Sequence, residues 1–355
     1  MRLASVTIAR DEADIIELFV RHTLNFVDRM YVVDDGSSDA TAQILRLLAG
    51  EGLPVTVIQA GTTSSYQQGL RTTALMARAM AEESWDFVLP LDADEFITAT
   101  DRRHLQADLA ALPQGSVGAF ALRQHVPLAE DGLRVAGPRV DDQIARMAHV
   151  LDLPRHPNKV VVPGALAAHP ETLLSDGNHM VSRYQVELPS ILLARSDLAH
   201  FPIRTMEQLA AKCLVSYVRW RARSDYESAT AAHHIAGTQA LAEEPALALS
   251  DPDRLLQAYL PEIGSRICHE PFQVKGTCQY PHLARTFPYR RVLGSLDALV
   301  ERSRSDAREM AAMRKKLQRT EPLLSRANTF ARKLRRSVMK RYLALRQRYA
   351  ACQSR

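Results

Sequence analysis

Cysteine is scarce in this chain of 355 residues, and its four cysteines lie far apart: Cys213, Cys268, Cys278 and Cys352. A disulfide-rich secreted scaffold would carry more cysteines, and a zinc cage would space them closely. The composition therefore argues against both classes. We expect reduced thiols without a structural cross-link.

Long apolar runs are also missing from the sequence. None approaches the roughly 20 residues that a helix needs to cross a bilayer. The N-terminal residues lead directly into a predicted strand, without the apolar segment of a signal peptide. We therefore expect a cytoplasmic protein, with one large domain and a C-terminal appendage.

A third absence is a glycine-rich loop after the first predicted strand, where Ala9-Arg10-Asp11-Glu12 stands instead. Nucleotidyltransferases usually carry such a loop, which cradles phosphate groups with backbone N–H groups. The absence makes that enzyme class the weaker of the candidates considered below.

What the N-terminal half contains is an alternation of short apolar strands with amphipathic helices. Strands are predicted at residues 3–8, 30–33, 55–58 and 87–91. This βαβαβαβ order predicts an α/β fold with a mostly parallel sheet flanked by helices. In open sheets of this kind, ligands bind beyond the carboxyl ends of the strands.

Acidic residues follow three of these strands: Asp11 and Glu12, then Asp34 and Asp35, then Asp92, Asp94 and Glu95. We expect them to meet at one edge of the sheet. If the backbone stays extended through Asp94, then Asp92 and Asp94 face the same side, and a hard cation such as Mg²⁺ or Mn²⁺ would relieve their repulsion. For the acidic triplet alone, a solvated turn is the simpler interpretation.

Five motifs together resemble the nucleotide-sugar-dependent glycosyltransferases of family 2, which have the GT-A fold. They are ARDE at 9–12, VDDGSSDAT at 33–41, DADEF at 92–96, GNH at 177–179 and HFPIRTMEQ at 200–208. The resemblance spans roughly residues 3–215, and the order and spacing of the motifs make it specific. It implies a Rossmann-like GT-A sheet with a C-terminal helical extension.

The resemblance implies a metal site. In family 2 an Asp-x-Asp motif holds the ion that bridges the diphosphate of the donor. Carried over, Asp94 is a direct ligand of Mn²⁺ or Mg²⁺, and Asp92 lies on the metal or the ribose. His200 matches the histidine that completes the metal shell in many GT-A enzymes, although a structural histidine at a strand end is nearly as good an interpretation.

The resemblance also implies a site for the nucleotide. Asp34 and Asp35 would contact the uracil and the ribose, and the backbone near Arg10 would close over the base. Arg71, on the third predicted helix, would contact the diphosphate. An ordinary exposed helix arginine is the alternative for Arg71.

The reaction requires a base, because the acceptor hydroxyl loses a proton as it attacks the anomeric carbon. By the family, one displacement would invert that carbon. Asp176 is the preferred base because it neighbours His179, which is predicted to serve the acceptor or the metal. Glu130, Asp131 and Glu95 remain alternatives.

Three further patterns follow the acidic motif at 92–96. A basic, proline-bounded segment at residues 155–159 leads into a strand at 160–162. Thr205 with Gln208 fits a capping box at the start of a helix. His233-His234 lies in an alanine-rich helical stretch, where we expect a solvated pair.

The C-terminal tail is strongly basic. Residues 301–355 hold 17 Lys or Arg against 4 Asp or Glu, whereas residues 1–300 hold 28 against 36. A basic amphipathic helix suits the anionic inner leaflet of a membrane. Packing on the main domain or self-association is an equal alternative, and nucleic acid is disfavoured because no recognition motif is present.

Taken together, these patterns divide the chain at 1–225, a catalytic domain, 226–290, a mixed helical extension, and 291–355, the basic tail. The function predicted is a metal-dependent glycosyltransferase that moves a sugar from a nucleotide-diphosphate donor, a UDP-sugar by preference, to a cell-surface glycan or glycolipid. A catalytically silent binding protein and a nucleotidyltransferase are the alternatives.

Overall fold

The computed structural model describes residues 1–60, 68–128, 144–221, 232–260, 266–285, 287, 289–313, 315 and 339–340. The chain divides into two compact units, Met1–Ala298 and Leu299–Arg355. Among the described residues, the first unit holds every strand and the cavity described below.

Fifteen strands are found in the described residues, many of them short: β1 (Leu3–Ala9), β2 (Arg29–Asp34), β3 (Val55–Gln59), β4 (Phe87–Pro90), β5 (Glu95–Ile97), β6 (Val117–Phe120), β7 (Leu122–Gln124), β8 (His149–Leu151), β9 (Lys159–Pro163), β10 (Thr172–Leu174), β11 (Val181–Arg183), β12 (Val186–Glu187), β13 (Ser190–Leu192), β14 (Leu198–His200) and β15 (Ile267–His269). The four strands predicted in the N-terminal half correspond to β1 through β4.

The helices of the first unit alternate with the early strands and then cluster late in the unit: α1 (Ile16–Thr23), α2 (Thr41–Gly50), α3 (Gln68–Glu82), α4 (Arg102–Ala110), α5 (Gly164–Ala167), α6 (Met206–Arg221), α7 (Ala232–Glu243), α8 (Leu247–Ser250) and α9 (Pro252–Tyr259). Residues 289–298 are also helical.

The main sheet has seven strands in the order β13-β6-β9-β4-β1-β2-β3. Its pairs are parallel except where β9 inserts antiparallel between β4 and β6. The predicted mostly parallel α/β sheet flanked by helices is thus confirmed. Because β9 runs backwards, its first residue, Lys159, lies at the edge where the parallel strands end.

Both faces of the sheet are covered by apolar side chains. Successive residues of β1 point to opposite faces, so that Leu3 joins one buried cluster while Ala4 and Val6 join the other. Strands buried on both faces read as continuous apolar runs, which explains why they were visible in the sequence. A third cluster forms among α6, α7, α8 and α9.

Two small elements bring distant residues to the same edge. β14 pairs with β5 and β7, which sets His200 opposite Glu95 and Gln124. The capping box predicted at α6 is present in one half, because the Gln208 side chain binds the amide of Arg204 and not that of Thr205. The Thr205 hydroxyl accepts from the Gln208 amide at 3.1 Å, and the Gln208 side chain accepts from the Arg204 amide at 3.0 Å.

In the second unit, residues 299–313 are helical and mostly exposed. The predicted amphipathic repeat beyond Pro322 lies almost entirely outside the described residues. Within the described residues, no helix is both long and apolar enough to cross a membrane.

Candidate active site

A cavity of about 540 Å³ opens at the carboxyl edge of the main sheet. Its lining contains all the predicted site residues except Asp34: Arg10, Asp35, Arg71, Asp92, Asp94, Asp176, His179 and His200. The alternative bases Glu130 and Asp131 lie outside the described residues.

One end of the cavity is formed by the end of β2 and by α3. Arg71 pairs with Asp35 at 2.8 Å, and the side chain of Arg71 is only 22% exposed. The interpretation of Arg71 as an ordinary exposed arginine is therefore wrong. Asp34 is buried and accepts from the Ser37 amide at 3.3 Å, so it shapes the turn after β2.

The acidic motif after β4 does not continue as a strand. β4 ends at Pro90, and Ala93 and Asp94 form a turn, so Asp92 and Asp94 do not share the face of one extended segment. Asp92 instead accepts from Lys159 at 2.6 Å and from the Gln68 amide group at 2.7 Å.

Lys159 is the cation closest to this turn. It is almost fully buried, and its ammonium also lies 2.8 Å from Glu95. Burial alone would lower the pKa of Lys159, but the Asp92 and Glu95 carboxylates raise it above its ordinary value. Burial raises the pKa of Glu95 to about 7, against the pull of Lys159. The lysine therefore stays charged between two acids.

Asp94, Glu95 and His200 each offer a ligand atom, and these atoms lie within 4.8 Å of one another. One Glu95 oxygen accepts from the Asp92 amide at 3.0 Å, and the other lies against Lys159. Asp94 and His200, 3.7 Å apart, are therefore the better pair for an ion. Although burial would raise the pKa of Asp94, His200 and Lys212 hold it well below its usual range. The Asp94 carboxylate is the type of ligand that Mn²⁺ and Mg²⁺ prefer, whereas an imidazole such as that of His200 is a common ligand of softer divalent ions.

Arg204 ties the start of the chain to the turn before α6. Its side chain is 1% exposed and pairs with Glu12 at 2.5 Å and with Asp14 at 2.6 Å. Burial would lower the pKa of Arg204, but the two carboxylates raise it. The charge of Arg204 is thus used to join the two segments.

The turn carrying Asp176 and His179 is fastened to the motif by side-chain amides. Gln68 accepts from the Gly177 amide at 3.2 Å and donates to Asp92. Asp176 accepts from the Gly69 amide at 2.9 Å, at the start of α3. The His179 Nδ1–H donates to the Asn158 carbonyl at 3.0 Å, and burial together with Lys159 lowers the pKa of His179. His179 is therefore neutral at neutral pH.

A further part of the cavity is built by α6, α7, α9 and the helical residues 289–298. It is lined by Lys212, Ser216, His233, His234, Tyr259 and Arg291. The expected solvated pair holds for His233, which is exposed, but not for His234, which is half-buried and has a buried Nδ1; both rings line the cavity. Later in the same helix, Ala240 and Leu241 pack into the apolar cluster of α6 to α9.

Sequence reasoning missed Lys159, Arg204, Lys212 and Arg291 as site residues. For Lys159 a signal existed, since a lysine that opens an all-apolar strand is seldom buried without a partner. Arg204 lies inside the HFPIRTMEQ motif, but nothing local identifies its partners 190 or more residues away. Lys212 and Arg291 carry no local signal at all.

Comparison with known proteins gives one family and several remote structures. Residues 6–128, about a third of the chain, match the model of glycosyl transferase family 2. No curated protein matches the sequence significantly.

The structural matches are weak. S. aureus TarS 1–349 in complex with UDP is 14% identical, over 71% of this chain and 74% of its own, with a TM-score of 0.31. Glucosyl-3-phosphoglycerate synthase from Mycobacterium tuberculosis with Mg²⁺ and UDP is 18% identical over 34% of this chain and 44% of its own, with a TM-score of 0.25. The same enzyme with Mn²⁺, UDP-glucose and phosphoglyceric acid is 14% identical over 46% of this chain and 57% of its own, with a TM-score of 0.28. This chain thus spans about half of the mycobacterial enzyme. At these scores the matches define neither donor nor acceptor.

Proposed function

We propose that this chain, whose residues 6–128 match the model of glycosyl transferase family 2, transfers a sugar from a UDP-sugar to a hydroxyl of a glycan or glycolipid, with a divalent metal. The observation that carries the proposal is the cavity at the carboxyl edge of the sheet, which is lined by Asp35, Asp92, Asp94 and His200 together. A cell-surface glycan is the acceptor class we favour.

The end of the cavity next to β2 and α3 suits the nucleotide. Asp35 and Arg71 are held together there, so that the carboxylate can accept from ribose or base groups while the guanidinium faces a phosphate. Asp92 is oriented by Lys159 and Gln68, which supports a contact with the ribose. Arg10 lines the same cavity and would close over the base.

Asp94 and His200 would hold the divalent ion. When bound, such an ion supplies Lewis-acid stabilisation of the charge that develops on the leaving diphosphate. Glu95 supports the site from behind, since its oxygens fix the Asp92 amide and Lys159.

Asp176 and His179 are the two groups that would accept the proton of the attacking hydroxyl. Neutral His179 donates through Nδ1, so its Nε2 carries the lone pair of an acceptor. Asp176 is bound to the start of α3, which fixes its direction. Attack from this side in one displacement would invert the anomeric carbon.

The test is a screen of UDP-sugars with Mn²⁺ or Mg²⁺, scoring release of UDP by the full chain. We expect release with at least one donor, its loss on chelation, and a fall of about 100-fold or more in Asp94→Ala, because one ligand of the ion is removed. Asp152→Ala, which replaces an exposed aspartate outside the cavity, is the matched control.

A donor that is cleaved as well by Asp94→Ala as by the wild type would remove the metal assignment. If none of the sugar nucleotides binds by calorimetry, the enzyme proposal itself fails. In that case a binding protein with a GT-A frame becomes the better account.

A further inference from the structure

We propose that the end of the cavity formed by α6, α7, α9 and residues 289–298 is an anion subsite, and that it binds a phosphate or carboxylate group carried by the acceptor. This inference rests on the proposed function, because it names the chemical class of the acceptor. We call this part of the cavity the cationic subsite, defined by Lys212, Ser216, His233, His234 and Arg291.

Arg291 carries the argument. Its side chain is 19% exposed, its Nε is buried, and its guanidinium makes no hydrogen bond to any residue that the structure describes. The nearest carboxylate oxygens, on Asp11 and Glu12, lie 4.0 Å and 3.9 Å away, beyond hydrogen-bonding distance. A largely buried guanidinium with unused donors costs free energy unless a ligand supplies acceptors.

The two neighbouring carboxylates compensate Arg291 only in part. Glu12 is already paired with Arg204 at 2.5 Å, and burial raises the pKa of Glu12 to about 7. Asp11 accepts from the Ser38 amide at 2.6 Å and from the Ser38 hydroxyl at 2.9 Å through its other oxygen. Arg291 therefore has charge to offer to a group in the cavity.

His234 gives a second, independent observation. Its Nδ1 is buried and makes no hydrogen bond within the described residues. Its ring lies 5.4 Å from that of Tyr259, and the charges that act on it come from His233, Lys212 and Arg291. Burial and the charges of His233, Lys212 and Arg291 lower its pKa to about 2. A histidine surrounded by positive charge and holding an unused ring nitrogen suits an anionic oxygen, to which its neutral ring can donate one N–H.

The remaining contacts orient the subsite. Lys212 donates to the Pro202 carbonyl at 3.1 Å and lies 3.9 Å from Asp94, so it is the member of the cationic subsite that borders the ion ligands. An acceptor whose phosphate or carboxylate group binds here would direct a hydroxyl toward the sugar of a donor bound next to Asp94.

The experiment uses the full chain with Mg²⁺, titrated with glycerol 3-phosphate and with glycerol, both in the presence and in the absence of UDP. We expect UDP-loaded protein to bind glycerol 3-phosphate at one site and glycerol at least about tenfold more weakly, since the charge-assisted hydrogen bonds are lost. Arg291→Gln should lower the affinity for glycerol 3-phosphate by about tenfold or more and leave the affinity for UDP within about twofold of the wild type.

Arg290→Gln is the matched control, because Arg290 is exposed beside Arg291 and stacks on Phe287 at 4.2 Å. His234→Gln gives a second variant, and thermal unfolding checks that each variant is folded. The inference is overturned if Arg291→Gln binds glycerol 3-phosphate as tightly as the wild type does. It is also overturned if the variant loses affinity for UDP instead, because the cations then bind the donor diphosphate. Failure to bind UDP, with glycerol 3-phosphate still bound, overturns the proposed function and leaves the subsite standing.

Discussion

Lys159 shows how one residue can hold an acidic corner together. Asp92 has 29% of its side chain exposed and can be partly hydrated, whereas Glu95 has 1% exposed and cannot. The Lys159 ammonium therefore stabilises chiefly the negative charge of Glu95, which water cannot reach. Removing one partner of a buried ion pair leaves an uncompensated charge, which costs far more than the pair contributes when intact.

We expect Lys159→Met to lower the free energy of unfolding by about 3 kcal/mol, measured by urea titration at pH 7. The double variant Lys159→Met with Glu95→Gln should recover part of that loss, because the buried charge is then absent. Glu95→Gln alone completes the cycle. If the single and double variants lose the same stability, the burial of Glu95 is not the reason for the lysine.

His22 makes the fold sensitive to acid. It is fully buried, its Nε2–H donates to the Ile97 carbonyl at 2.9 Å, and its Nδ1 accepts from the Lys275 amide at 2.9 Å. Protonation would break the second bond, and burial lowers the pKa of His22 to about 4 from 6.5. Between those pH values the unfolded chain binds more protons than the folded one, so stability falls as the pH falls.

We expect the wild type to lose about 2 kcal/mol more than His22→Gln between pH 7 and pH 5, from urea unfolding at both values. Glutamine keeps one donor and one acceptor but does not titrate. Parallel losses in the two proteins would show that His22 does not sense pH. His125, whose pKa burial also lowers to about 4, should leave a residual acid effect in the variant.

The predictable site residues are those that follow a strand directly. Asp35, Asp92 and Asp94 were found because the ends of parallel strands converge at one edge whatever the rest of the chain does. Arg291 and Lys212 were not found, because their positions depend on how helices from the C-terminal part of the first unit pack. His234 was misjudged because an alanine-rich helix gives no clear apolar face.

At the scale of elements, α6 links the motif residues to the cationic subsite. It begins with the capping pair of Thr205 and Gln208, and one turn later it carries Lys212. A helix start without its cap leaves backbone N–H groups unsatisfied. The stability of this start therefore affects both ends of the cavity.

We expect Thr205→Ala to lower the free energy of unfolding by about 1 kcal/mol, and Thr205→Ser to lower it far less, because serine keeps the capping hydroxyl. Denaturant unfolding of the two variants beside the wild type is the measurement. Equal losses would mean that the methyl group of threonine, and not its hydroxyl, stabilises the turn.

Element prediction succeeded where local pattern and tertiary packing agree. Patterns of consecutive residues predict both the order of β1 through β4 and the cap at Thr205. The strand at residues 160–162 was also recognised, but its antiparallel insertion beside β4 was not. Pairing order depends on contacts between segments more than 70 residues apart, which short-range periodicity does not encode.

At the scale of the whole molecule, the basic charge belongs to the C-terminal unit. Residues 299–313 are helical and mostly exposed, while most of the tail lies outside the described residues. Association of this tail with an anionic membrane surface or with a second copy stays a prediction.

We expect deletion of residues 301–355 to abolish co-sedimentation with anionic lipid vesicles at low salt, because each basic side chain near the surface adds about 1 kcal/mol. UDP affinity, which depends on the first unit, should be unchanged. A truncated protein that still sediments with vesicles would contradict attachment through the tail, and light scattering on both proteins would reveal self-association.

The reversed strand β9 has a consequence for what can be cut from this protein. The family match ends at residue 128, yet Lys159 and His200 both lie after it. A fragment stopping there would leave β4 with a bare edge, open to pairing with other chains, and would keep the acids of the motif without their lysine. The smallest portion of the gene that yields a working protein must therefore extend well past the segment by which its relatives are identified.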